Sequence, residues 1–127
     1  MAHVLVVDDD EPIRDALRAL LEDAGHTVDE APGGAPALDR LKRSGGGMVV
    51  LLDINMPGTD GIQVMRAVSE QKPLALRHAY IIMTATARTL PLAFVNQLAE
   101  MRAPIVTKPF DADELLDAVD RAAHRVS

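Results

Sequence analysis

The chain has no cysteine and no tryptophan, and only one tyrosine and two phenylalanines. Without cysteine, neither disulfides nor thiolate metal sites are available. So few rings leave no platform for stacking bases. The 13 Lys and Arg residues are spread along the chain and outnumbered by 19 Asp and Glu, for a net charge of -6. Direct nucleic-acid binding by this chain is therefore not expected. Although 48% of the residues are hydrophobic, no uninterrupted apolar run approaches the ~20 residues of a membrane span. Strand-like sequence begins by His3, which leaves no room for a signal peptide. A soluble cytoplasmic protein is the simplest reading, with residues 1–127 forming one domain around a buried core.

What is present is alternation. Short apolar runs, as expected of strands covered on both faces, occur at 3–7, 48–53, 79–84 and 105–107; a more polar run at 27–31 reads as an edge strand. Helical patterns separate them. One runs from about Glu11 to Ala24, with Pro12 in its first turn, a stripe of Ile13, Ala16, Leu17, Leu20, Leu21 and Ala24, and Gly25 at its end. Another runs from Gly34 to about Arg43. A third, capped by Asp60, carries Ile62, Met65 and Val68 and is stopped by Pro73; a fourth spans Pro91 to about Met101. The last starts at Asp111, where Asp111 and Glu114 have capping-box spacing. Five strand–helix alternations predict an α/β fold, a doubly wound, flavodoxin-like five-stranded parallel sheet in the order 2-1-3-4-5.

Polar groups follow the apolar runs at one end. Asp8 and Asp9 follow Val4–Val7, Asp53 follows Val49–Leu52, Thr84 follows Met83, and Lys108 follows Thr107. If the runs are parallel strands, these groups meet at the sheet's carboxyl edge, where such folds bind ligands. Crowded carboxylates raise one another's pKa unless a counter-charge is supplied. Mg²⁺ answers that need, with Asp9 and Asp53 as direct ligands, Asp8 acting through water and the backbone carbonyl of Asn55 in a further position. Lys108 can reach phosphoryl oxygens as a point charge and Thr84 can donate a hydrogen bond to another. That set suits phosphoryl transfer onto Asp53, which depends mainly on positioning and charge neutralisation.

Other signals are weaker. His3, His26, His78 and His124 share no ligand spacing and read as surface or strand-end residues. Gly45–Gly47 lacks the Lys-Ser/Thr of a phosphate-binding loop, and no Ser-His-Asp or dinucleotide pattern is present.

Over nearly its whole length the chain resembles the receiver domain of bacterial two-component response regulators, chemotaxis-regulator-like. The residues that carry the resemblance are Val6–Asp10, Leu52–Pro57 with Asp60-Gly61, Met83-Thr84-Ala85 and Lys108-Pro109-Phe110. The resemblance implies that Asp53 is the phospho-acceptor, charged by a histidine kinase phosphohistidine, a phosphotransfer protein or a small phosphodonor. It implies that Asp8 and Asp9 hold Mg²⁺, that Thr84 is the switch hydroxyl and that Lys108 binds phosphate. Slow self-catalysed hydrolysis follows, with Asn55 and Thr86 at positions that set its rate, and an output surface on the last two helices and final strand; Leu92 and Arg102 are candidate contacts there. One departure stands out. The family's Tyr or Phe three residues before the lysine is Ile105 here, so signalling is expected to rely on Thr84 and the loop from Ala85 to Arg88 rather than on a ring flip. Two other functions fit parts of the pattern: a binding module indifferent to phosphate, and a Mg²⁺-dependent aspartyl phosphatase, for which Asp53-Ile54-Asn55 lacks the second carboxylate.

Overall fold

The computed structural model describes residues 2–85 and 89–126. Five strands, β1 (His3–Val7), β2 (Thr27–Ala31), β3 (Val49–Asp53), β4 (Ala79–Thr84) and β5 (Ile105–Thr107), alternate with helices α1 (Glu11–Asp23), α2 (Gly34–Arg43), α3 (Gly61–Ser69), α4 (Lys72–Arg77), α5 (Leu92–Glu100) and α6 (Ala112–Val126). All strand pairs are parallel, in the order β2-β1-β3-β4-β5. Every residue of β3 and β4 is buried, whereas edge strand β2 exposes Thr27 and half-exposes Asp29 and Glu30. Burial on both faces is why the central runs are continuously apolar.

Because side chains alternate across a strand, the sheet feeds two cores. Leu5, Val7, Val50, Leu52 and Ile82 pack with Leu41, Met65, Leu74, Phe94 and Leu98 from α2–α5. Val4, Val6, Leu51, Ile81 and Val106 pack on the other face with Leu17, Leu21, Leu115 and Val119 from α1 and α6. The apolar stripe of α1 is narrower than its sequence suggests: Leu17 and Leu21 are buried, Ile13 and Leu20 half-buried, and Ala16 and Ala24 face solvent.

Caps set the helix starts. The Asp10 carboxylate accepts from the Ile13 N–H at 3.2 Å, and Pro12 sits in the first turn of α1, where it forfeits no hydrogen bond. Asp60 and Gln63 form a reciprocal capping box on α3. Asp111 accepts from the Glu114 N–H at 3.0 Å.

Pro73 behaves differently from its sequence-based expectation. Helix α3 ends at Ser69, four residues before it, and Pro73 then lies in the first turn of the short extra helix α4. A proline both ends one helix and suits the start of the next, and local pattern does not separate the two. Among the histidines, His3, His26 and His78 do stand at strand starts, yet His26 and His78 are buried. His78 Nδ1 accepts the Met48 N–H at 3.0 Å, so its Nε2 carries the proton and faces the Leu41 carbonyl at 3.3 Å.

Candidate phosphoryl-acceptor site

The register brings the polar strand ends together. Val7 pairs with Leu52 and Asp53 with Met83, so Asp8 lies beside Asp53 one step beyond the ladder. Thr84 pairs with Thr107, and the Lys108 N–H donates to the Thr84 carbonyl at 2.9 Å. Two further bonds carry the ladder past the strands: Asp8 N–H to the Ala31 carbonyl (3.2 Å) and Ile54 N–H to the Met83 carbonyl (3.1 Å).

Asp8, Asp9 and Asp53 each turn a carboxylate oxygen into one cluster whose members lie within 4.8 Å of one another. Asp8 and Asp53 are buried at 1% and 4% exposure, while Asp9 is exposed. The Lys108 ammonium bridges the two buried acids, 2.9 Å from Asp8 Oδ2 and 3.2 Å from Asp53 Oδ1. Asp8 Oδ1 accepts the Asp10 N–H at 3.0 Å. Among the described residues the Asp9 carboxylate makes no hydrogen bond or ion pair, which leaves it free to bind a ligand.

Charge in the pocket is unbalanced. Burial pushes the Asp53 carboxyl above the usual carboxylate range and the Asp8 charge adds to the rise; Lys108 and the Asn55 N–H oppose it without cancelling it. Burial tends to lower Lys108, but hydrogen bonds and charges from Asp8 and Asp53 outweigh that and hold its pKa above the ordinary value. Three acids face one lysine, a deficit of positive charge that a divalent cation would fill. Oxygen-only donors, one of them unpartnered, suit a hard cation such as Mg²⁺.

Thr84 is fully buried at the end of β4. Asn55 is exposed in the turn after β3, with its N–H toward Asp53. Gly58 in that turn has φ 76°, a conformation that favours glycine. Gly61 opens α3 against the strand end; a Cβ there would lie 2.6 Å from the Asp53 carbonyl oxygen and 2.8 Å from Ile54 Cα. Ile105 is half-buried against the core beneath α5. Thr86, Ala87 and Arg88, the rest of the expected signalling loop, lie outside the described residues. Leu92 is 74% exposed and Arg102 is also exposed.

Sequence reasoning missed Arg14. It stands on α1 with its side chain 14% exposed and donates from Nη1 to the Asp8 carbonyl at 2.7 Å. No motif spacing marks it; the contact exists only because α1 doubles back along the tips of β1 and β2.

The family model for the response regulator receiver domain matches residues 4–120. The chain is 39% identical over 114 residues to the transcriptional regulatory protein DltR of Streptococcus agalactiae, covering 90% of this chain and 48% of that protein. It is 37% identical over 119 residues to the DNA-binding transcriptional regulator NtrC of Escherichia coli, covering 94% of this chain and 24% of NtrC. The chain thus spans half or less of the length of these relatives. Among solved structures it is similar to a CheY-like receiver domain from Methanospirillum hungatei (36% identity, TM-score 0.82, 96% of this chain and 94% of that one). It is also similar to the chemotaxis protein CheY4 of Vibrio cholerae (28% identity, TM-score 0.78, 96% and 98%). The chain belongs to the response regulator receiver domain family, the phosphorylatable switches of two-component signalling.

Proposed function

We propose that Asp53 is the phospho-acceptor of this switch, and that residues 1–127 act as one receiver unit. The observation that carries the reading is the convergence of Asp8, Asp9 and Asp53 with Lys108 bridging the two buried acids. An Asp53 oxygen attacks phosphorus as the bond to a phosphohistidine nitrogen, or to the leaving oxygen of a small phosphodonor, breaks; the product is an acyl phosphate. Mg²⁺, when bound, supplies the charge that keeps the acids ionised and draws the donor phosphate into line.

Asp9 and Asp53 would hold it directly, with the Asn55 carbonyl alongside. Asp8 acts through water, since one of its oxygens is taken by the Asp10 N–H and the other by Lys108. On phosphorylation Lys108 and Thr84 take up phosphoryl oxygens, and the new charge of roughly -1.5 to -2 biases a pre-existing equilibrium. The chain works in the cytoplasm, and its donor is a sensor histidine kinase or a phosphotransfer protein. A downstream protein reads the face formed by α5, β5 and α6, with Leu92 and Arg102 as contacts, and slow self-catalysed hydrolysis resets the switch. With Ile105 where the resemblance implies a Tyr or Phe, the readout passes through Thr84 and the residues that follow it.

Intact mass spectrometry after incubation with acetyl phosphate and Mg²⁺ tests the assignment. One phosphoryl adduct is expected on the wild type and none on Asp53→Asn. Equal uptake by the variant would refute it.

A further inference from the structure

We infer that Arg14 is a positioning residue for the acidic pocket, its guanidinium tying the Asp8 main chain to the Glu30 carboxylate and so aiming Asp9. This rests on the metal-binding reading above. Arg14 Nη1 donates to the Asp8 carbonyl at 2.7 Å while its Nε donates to Glu30 Oε1 at 3.1 Å. Glu30 is itself fixed from the other side, because Arg18 Nε donates to its second oxygen at 2.6 Å. Each Glu30 oxygen therefore has its own guanidinium, and the chain Arg18–Glu30–Arg14–Asp8 links α1, the tip of β2 and the tip of β1.

Asp9 explains why the link matters. Its carboxylate makes no hydrogen bond or ion pair among the described residues, so no partner group holds it and the main chain sets the point from which it departs. Asp8 lies one residue beyond the last paired residue of β1. Its carbonyl and the Asp9 nitrogen belong to one planar peptide unit. Gripping that oxygen sets the position from which the Asp9 side chain departs. The Asp8 side chain is held separately by Asp10 N–H and Lys108, so Arg14 governs Asp9 more than Asp8. The grip needs a planar fork that donates in two directions at once, which a lysine ammonium on a flexible stem does not reproduce.

Calorimetric titration of the full chain with Mg²⁺ alone tests this, alongside the melting temperature in EDTA, for wild type, Arg14→Gln, Arg14→Lys, Glu30→Gln and the Arg14→Gln/Glu30→Gln double variant. Both Arg14 variants should bind Mg²⁺ roughly 10-fold more weakly, the low end for groups that orient a metal ligand. Glu30→Gln should lose less, and the double variant no more than Arg14→Gln, since the two act in series. Amide resonances of Asp9 and Asp10 should move in Arg14→Lys while those of β3 stay in place. Wild-type Mg²⁺ affinity in Arg14→Lys would overturn the inference, even if its melting temperature fell, because Arg14 would then only brace the fold. Should Arg14→Gln fail to fold, Arg14→Lys carries the same decision. A wild type that does not bind Mg²⁺ would instead remove the metal-site reading beneath it.

Discussion

Asp53 is destabilised by the environment that equips it. Its pKa is raised in the folded chain, above the ordinary 3.8 that serves for the unfolded one. Between those two values the folded state binds more protons, so stability is fully present below about pH 3.8 and falls as pH rises through the folded pKa. Asp53→Asn removes the penalty while Lys108 keeps Asp8 as partner. In EDTA at pH 7 the variant should be more stable than wild type by roughly 1 kcal/mol, the size of an ordinary single-site effect. Urea denaturation at pH 7 and below pH 3.8 checks this: the gap should close in acid, and a variant less stable at pH 7 would contradict it. The placement of Asp8, Asp9, Asp53 and Lys108 was legible because each follows an apolar run, and parallel strands put such ends on one rim. The bridging of two acids by one lysine was not, since the reach of a side chain leaves no trace in spacing. Arg14 was hidden for the same reason.

Joints between secondary-structure segments carry their own consequences. Helix α3 begins in contact with the strand that delivers Asp53, and Gly61 leaves no room for a methyl group between them. Gly61→Ala should push the helix start off the strand end, costing about 1–3 kcal/mol as overpacking does, and should slow phosphorylation of Asp53 by acetyl phosphate. Denaturation and a phosphorylation time course read both effects; an unchanged rate would mean the contact does not bear on the acid. At the opposite end of the sheet, His78 ties β4 to Met48 and Leu41. Burial lowers its pKa from the ordinary 6.5, with Leu41's carbonyl resisting only in part. The unfolded chain therefore takes up protons first, and stability present above about pH 6.5 is lost as pH falls below it. His78→Gln should be less stable at pH 7 by about 1–3 kcal/mol, as when buried backbone groups lose a partner. It should also show a flatter decline toward pH 5, measurable in urea. Four strands were legible from continuous apolar runs and β2 from its more polar, edge-like composition, while the order followed from the alternation with helices. Helix α4 was not, because six residues are too few to establish a period and Pro73 reads as a stop as readily as a start.

Taken together, the fold keeps its chemistry on one rim and its packing elsewhere, so ligand binding at that rim should be felt as global stability. Mg²⁺ that binds only the folded chain should raise stability by about 2.7 kcal/mol at 100 times its Kd. Asp9→Ala should abolish the gain with little change in EDTA, since Asp9 is exposed and supports nothing else. Thermal melts with and without Mg²⁺ decide it. A last consequence concerns β5, which has three residues and pairs on one side only, whereas β3 has five and pairs on both. Brief strands at a margin open more readily than those at the centre. On the proposed reading, the lysine that would follow an incoming phosphoryl group hangs from the short marginal strand β5, so it could shift while the centre of the sheet stays in place. Amide exchange at Val106 should outpace that at Val50, and phosphorylation should slow it as the lysine, already bridging Asp8 and Asp53, gains phosphoryl oxygens to hold.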